Sequence, residues 1–279
     1  MVESDLATVV SDLRLADRRY AQLPESLGGS IINADCYRCL SPWFSHGTLP
    51  SRLDDALVTE VPEYAAVRDS PRASRRLVRT YLTSATTQPA SAASKDRILR
   101  VATGVDGGRQ PPRLLLVTGG SGSGKTRLVS TPPMLTPPGA FTFDTTLTSL
   151  AFATQIIDAA LDRGGTVTVC FIATDFPIAM QRMIARACSD GRYISASGMA
   201  ANHEKSHATM LEVIRLYRLQ RRMRLRIIRS EHHQVSPFPL DAFLETPYPS
   251  IQELTHVAHH TITAAAARIP ADLLRRLAR

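Results

Sequence analysis

LLLVTGGSGSGKTRLVSTPP, Leu114 to Pro133, is the stretch whose reading decides the fold. An apolar run of strand type, from Arg113 to Thr118, feeds into Gly119-Gly120-Ser121-Gly122-Ser123-Gly124-Lys125-Thr126. The spacing is that of G-x-x-x-x-G-K-[ST], and a strand before it with a helix after it is the context that gives the motif its meaning. Glycines let successive backbone N–H groups turn inward around phosphate oxygens. The helix N-terminus adds partial positive charge. Lys125 is placed to reach the β- and γ-phosphates, and the Thr126 hydroxyl to serve as a ligand of Mg2+. The sequence thus predicts a nucleoside triphosphate site with ATP and Mg2+ as cofactors. The helix after the loop is short, because Thr131-Pro132-Pro133 cannot continue it.

Outward from the loop, short apolar runs at Ser30–Asn33, Ala140–Phe143, Thr166–Ala173 and 224–229 read as strands. Helical patterns cover 4–22, 65–82, 147–162, 178–188, 200–222 and much of the last 28 residues. Gly164 and Gly165 stop the fourth strand's preceding helix. Asp175 and Pro177 sit where a helix begins. Strands alternating with helices predict an α/β fold: a P-loop NTPase-type parallel sheet flanked by helices, with helical N- and C-terminal additions. The expected division is a helical extension over 1–27, a nucleotide-binding domain over 28–232, and a C-terminal loop with helices over 233–279. TSATTQPASAAS (83–94) reads as a linker inside the domain, DRILRVA as a short helix or strand, and HHQVSPFPLDAFLETPYPS as loop.

The chain has 279 residues, 44% hydrophobic and 21% charged, which is ordinary for a globular protein. No apolar run is long enough to span a bilayer. MVESDLATVVSDL carries acids where a signal peptide needs a basic start. A soluble protein made in the cytoplasm, with no membrane partner, is expected. Net charge is +8, and of the 33 basic residues only Lys95, Lys125 and Lys205 are lysines. Arginine forks suit phosphate. Scattered arginines without interleaved aromatics do not form a nucleic-acid platform, so nucleic acid is not the expected partner. Cys36 and Cys39 form one C-x-x-C with no second pair at zinc spacing. With Cys170 and Cys188 they read as free thiols.

A glycine loop alone suits an ATPase, a GTPase, a motor or a kinase. No guanine-reading NKxD-type motif is present, and a motor needs more chain. A small kinase needs a base for the acceptor hydroxyl and cations for the moving phosphoryl group. Asp35, in Asn33-Ala34-Asp35-Cys36-Tyr37-Arg38, follows one strand, and Asp144 follows another. Both fall at the carboxyl edge, where α/β ligands bind. Each could equally be a helix N-cap, and the residues themselves do not separate the two as base. Arg182 and Arg186 share a helix face, and Arg192 follows that helix.

The chain from Asp144 onward resembles the zeta toxin family of P-loop kinases. The shared features are Asp144-Thr145-Thr146-Leu147, IIDAALDRGG, VTVCFIATD, a helix with Arg186, then Gly191-Arg192-Tyr193 and His203. NADCYR before Ser41-Pro42 resembles that family's substrate motif: an Asp, two residues and an Arg ahead of a proline. The likeness covers roughly residues 28–48 and 113–215. The Asp motif here lies ahead of the glycine loop, a permuted order found in a branch of zeta-like proteins. The family's Glu-Gly-Thr is Asp144-Thr145-Thr146. The resemblance implies that Asp35 is the base, that Arg38, Asp144 and Thr146 help hold the acceptor, and that Arg186 and Arg192 steady the γ-phosphate. It further implies a hydroxyl acceptor on a nucleotide-type molecule, such as a UDP-amino sugar or NAD. The implied role is that of a bacterial toxin or effector, with an antitoxin or chaperone partner and, for an effector, delivery into a host cell. Alternatives are a polynucleotide 5′-hydroxyl kinase and a non-enzymatic ATP-binding interaction protein. His203-Glu204-Lys205-Ser206-His207 also matches the H-E-x-x-H of zinc proteases. No H-x-x-G-x-x-H extension follows, and no third ligand stands out.

Overall fold

The computed structural model describes residues 2–41, 44, 58, 62–66, 69–106, 110–129, 139–231 and 234–278. Among these, six strands form one sheet: β1 (Ile31–Ile32), β2 (Arg113–Thr118), β3 (Phe141–Asp144), β4 (Thr166–Ala173), β5 (Met223–Glu231) and β6 (Gln234–Phe238). Their order across the sheet is β1-β3-β2-β4-β5-β6. All neighbours are parallel except β5 and β6. The glycine-loop strand β2 therefore lies inside the sheet, buried on both faces, which accounts for its unbroken LLLV run.

The upstream segment takes its place in the sheet despite its position in the chain. β1 pairs with β3 in the register Ile31↔Thr142 and Ile32↔Phe143. Two residues make a weak strand, and a buried tyrosine from the N-terminal helices holds it. Tyr20 closes α2 (Leu13–Ala21), which follows α1 (Val2–Ser11). Its hydroxyl donates to the Ile31 carbonyl at 2.8 Å and accepts from the Asn33 N–H at 3.0 Å. The expected single helix over 4–22 is thus two, broken at Asp12, whose carboxylate accepts from the Leu15 N–H and starts the second.

The expectations for 65–103 need the larger correction. The reading of 83–94 as a linker is wrong: it lies within one helix, α4 (Pro71–Thr103), which also takes in most of the expected 65–82 helix and the whole of DRILRVA. The small residues mislead by composition. On the helix, Leu82, Thr86, Ala90, Ala93 and Ser94 fall on one buried stripe that lets α4 lie close to α3 (Ala34–Arg38). Thr86 and Thr87 donate their hydroxyls to the carbonyls of Leu82 and Thr83, four residues back, so their polar groups need no loop. Pro89 sits inside the helix and removes one N–H.

Three further helices cover the sheet: α6 (Leu150–Asp162), α7 (Phe176–Asp190) and α8 (Ala196–Tyr217), while α5 (Lys125–Val129) follows the glycine loop. The main core joins α1, α2, α4, α6 and α8 to the sheet through Ile32, Leu114, Leu116, Phe143, Ile156 and Val169. A second cluster packs α7 and the start of α8 against the C-terminal helices α10 (Ile251–Ala265) and α11 (Ala271–Leu277). The short helix α9 (Leu240–Glu245) leads into them. β6 was not expected. The segment reads as loop because of its prolines, but β6 is an edge strand, where Pro237 is tolerated. Pro42 and Thr131-Pro132-Pro133 lie outside the described residues. α5 ends at Val129.

Candidate active site

The carboxyl ends of the strands gather the predicted residues. Asn33, not Asp35, caps α3: its side-chain oxygen accepts the Cys36 N–H at 2.7 Å. Likewise Ser149, not Asp144, caps α6. Both aspartates are therefore released from the capping role that their sequence positions allowed. β1 and β2 are separated by one strand, so their axes lie roughly 10 Å apart in the plane of the sheet.

In the glycine loop, Lys125 Nζ donates to the carbonyls of Gly119 and Gly120 at 2.8 and 2.9 Å. Val117 pairs with Asp144 in the β2–β3 register. That pairing sets the Asp144 carboxylate against α5, and Thr126 Oγ1 donates to its Oδ2 at 3.0 Å. Two hard oxygens at this separation form a donor pair suited to Mg2+. Burial pushes the Asp144 carboxyl above its usual range, opposed by Lys125 and by the Thr126 hydrogen bond. Burial pushes Lys125 down, opposed by Asp144. Asp35 is close enough to act on both, raising the pKa of each.

Neighbouring elements fix the loop's shape. Thr174, just past β4, donates its hydroxyl to the Ser123 carbonyl at 3.0 Å. Arg182 Nη1 approaches the same carbonyl at 3.2 Å and Ser230 Oγ at 3.4 Å. Asn202 Nδ2 donates to Ser121 Oγ at 3.3 Å. Gly122 has φ +75°, and a Cβ there would stand 2.5 Å from the Ala179 carbonyl, so the loop can follow this path only with glycine. Thr146 is held through its backbone carbonyl, which accepts from Thr118 and Ser206 at 3.1 and 2.6 Å.

At the other end, Asp35 forms ion pairs with Arg38 and, at 3.4 Å, with Arg192. Asp190 orients Arg192 by accepting from both its backbone N–H and its Nε. Arg38 Nη2 donates to Thr87 on α4 at 3.0 Å, and Thr80 on α4 donates to the Gly191 carbonyl at 2.7 Å. Arg186 feels the charges of the same cluster. Burial and the charge of Arg192 push its pKa down, while Asp35 and Asp190 push it up. The buried Nε atoms of Arg38 and Arg186 have no hydrogen-bond partner among the described residues. Asp35, Arg38, Lys125, Thr126, Asp144, Arg186 and Arg192 thus share one electrostatic neighbourhood. The residues not foreseen are those that act on the loop from outside: Thr174, Asn202 and the hydrogen-bonding role of Arg182. Their polar side chains follow strand ends or line helix faces, and only the folded contact distinguishes them from ordinary surface residues.

The H-E-x-x-H pair faces two different settings. His203 Nε2 lies 2.7 Å from the Ser121 carbonyl, while His207 stacks on Tyr248 with ring centroids 4.0 Å apart. Among the described residues no group of three or more His, Cys, Asp or Glu is arranged to hold a metal ion. None of Cys36, Cys39, Cys170 and Cys188 is in a disulfide. Among the described residues no helix is long and apolar enough to cross a membrane.

A mostly parallel six-stranded sheet with a glycine loop at the carboxyl end of an inner strand defines a P-loop NTPase-type fold. Residues 140–235 match the model of the zeta toxin family, which bears out the resemblance over that segment. That family is P-loop kinase-like and supports a nucleotide-binding phosphotransferase. The matched segment contains Asp144, Arg186, Arg192 and His203. The glycine loop, Asp35 and α4 lie outside it. No curated protein is similar enough to the chain to count as a match.

Proposed function

We propose that the protein transfers the γ-phosphoryl group of ATP to a hydroxyl of a small nucleotide-type molecule, such as a UDP-amino sugar or NAD, and acts as a bacterial toxin or effector. The observation that carries this reading is that Asp35, from far upstream, stands past β1 in ion pairs with Arg38 and Arg192, at the same carboxyl edge of the sheet as the glycine loop and Asp144. An ATP-binding protein without chemistry has no need of a second carboxylate there, ringed by arginines.

In this reading the loop amides from Gly119 to Thr126 and the Lys125 ammonium hold the β- and γ-phosphates. Thr126 and Asp144 hold Mg2+, which when bound neutralises charge developing on the phosphate oxygens. Asp35 accepts the proton of the acceptor hydroxyl as its oxygen bonds to the γ-phosphorus and the bond to the β–γ bridging oxygen breaks, releasing ADP. Arg38, which forms an ion pair with Asp35, holds the acceptor. Arg186 and Arg192 receive the charge spread over the moving phosphoryl oxygens. Thr146, beside Asp144, completes the acceptor side. Asp35 is preferred to Asp144 as base because in this reading the Asp144 carboxylate, bonded to Thr126, is taken up with Mg2+.

Incubation with ATP labelled in the γ-phosphate and a panel of nucleotide sugars, NAD and DNA 5′-hydroxyl ends tests the reading. Label on a nucleotide sugar or NAD is the expected result. Label on DNA ends would favour a polynucleotide kinase. Label on none of them, with ATP still bound, would favour a non-enzymatic binding protein.

A further inference from the structure

The H-E-x-x-H motif has a use that neither zinc nor phosphoryl transfer supplies. His203 Nε2 lies 2.7 Å from the Ser121 carbonyl in the glycine loop. A carbonyl only accepts, so Nε2 carries the proton. Burial drops the His203 pKa to about 4, so the ring is neutral at ordinary pH and its Nδ1 is an acceptor. The group facing Nδ1 is the Tyr248 hydroxyl, at 3.3 Å, which must then be the donor. Tyr248 belongs to the C-terminal segment, outside residues 140–235.

Both rings are fixed from behind. Tyr248 stacks nearly flat on His207, at 12° and 4.0 Å, and His207 packs in turn on Phe243 and Phe171. Phe176 meets His203 edge-on at 5.0 Å. On the loop side, a Cβ at Gly120 would lie 2.3 Å from the His203 ring, so the loop backbone rests against the imidazole. The two histidines therefore divide the work: His207 seats the tyrosine, and the tyrosine selects the tautomer of His203 that grips the loop.

We propose that Tyr248 is a positioning residue of the donor site, holding the Ser121 end of the glycine loop through a Tyr248–His203–Ser121 hydrogen-bond chain. The C-terminal segment is then part of the nucleotide site and not an appendage to it. The inference rests on the reading of residues 119–126 as the nucleotide loop.

The test uses Tyr248→Phe in the full chain, which keeps the stacked ring and removes only the hydroxyl. Nitrogen-15 spectra of the imidazoles, assigned with His203→Gln, should show wild-type His203 as the Nε2–H tautomer with a hydrogen-bonded Nδ1. In Tyr248→Phe the Nδ1 resonance should move toward the value of a free acceptor nitrogen. Affinity for a non-hydrolysable ATP analogue with Mg2+ should fall about threefold to tenfold, the range for one neutral hydrogen bond. Thermal unfolding of the variant should stay close to wild type, which separates this from loss of the fold. An unmoved Nδ1 resonance, or a moved resonance with unchanged analogue affinity, would overturn the proposal. If neither protein binds the analogue, it is the nucleotide-site reading that fails, and the resonance still decides whether the chain of hydrogen bonds exists.

Discussion

The two ends of the site are built differently. In the glycine loop the polar side chains and several carbonyls are paired within the protein: Lys125 to two carbonyls, Thr126 to Asp144, Ser123 O to Thr174 and Arg182, and Ser121 O to His203. The Ser123 hydroxyl is the exception there. Around Asp35, by contrast, the buried Nε atoms of Arg38 and Arg186 and the hydroxyls of Ser41 and Thr83 have no partner among the described residues. Buried N–H groups left unpaired are costly. The loop end is thus held by its own contacts, while the Asp35 end carries buried guanidinium donors with no partner among the described residues. Substitutions at the loop end should act on ATP and metal binding, and those at the Asp35 end on the chemical step.

The largest expected effect is at the Asp35 end. Arg186→Ala should lower kcat by roughly 10³-fold or more, as for other arginines that stabilise a transferring phosphoryl group, with ATP affinity little changed. Asp35→Asn should cost roughly 10²–10⁴-fold in kcat, the range for a general base. Wild-type turnover in Asp35→Asn, measured with the labelled acceptor, would erase the contrast between the two ends. Asp144→Asn should be milder. It should raise the Mg2+ concentration needed for half-maximal turnover by roughly tenfold to a hundredfold, which a Mg2+ titration reads directly.

The smallest effect is on stability. Burial holds the pKa of His203 and of His207 down to about 4, below the 6.5 of an exposed histidine. A depressed histidine contributes its full stability above pH 6.5 and loses it as the pH falls toward 4, since the unfolded chain takes up the proton first. Urea midpoints should therefore fall across that window. His207→Phe, which keeps an aromatic ring against Tyr248, should flatten part of the slope.

Residues 113–126 were legible because one local motif contains a strand, a turn and a helix start, each with its own residue signature. β4 and α7 were legible for the same reason. α4 was not, because Ser, Thr, Ala and Pro read as linker until the buried stripe from Leu82 to Ser94 finds α3 to pack against. Among the site residues, the sequence could not rank Asp35 against Asp144, since either could have capped a helix. Asn33 and Ser149 take that role, a choice visible only in the folded backbone. Tyr248 carried no signal at all.

The sequence by itself determined the class of donor and the sheet that holds it, because the glycine loop and the apolar strands are encoded in contiguous residues. Tertiary structure alone decided where Asp35 lies. A two-residue strand with Asp35 behind it has too little local free energy to specify its own place. It is set beside β3 by Tyr20, and its arginine companions are drawn from α3 and from the end of α7.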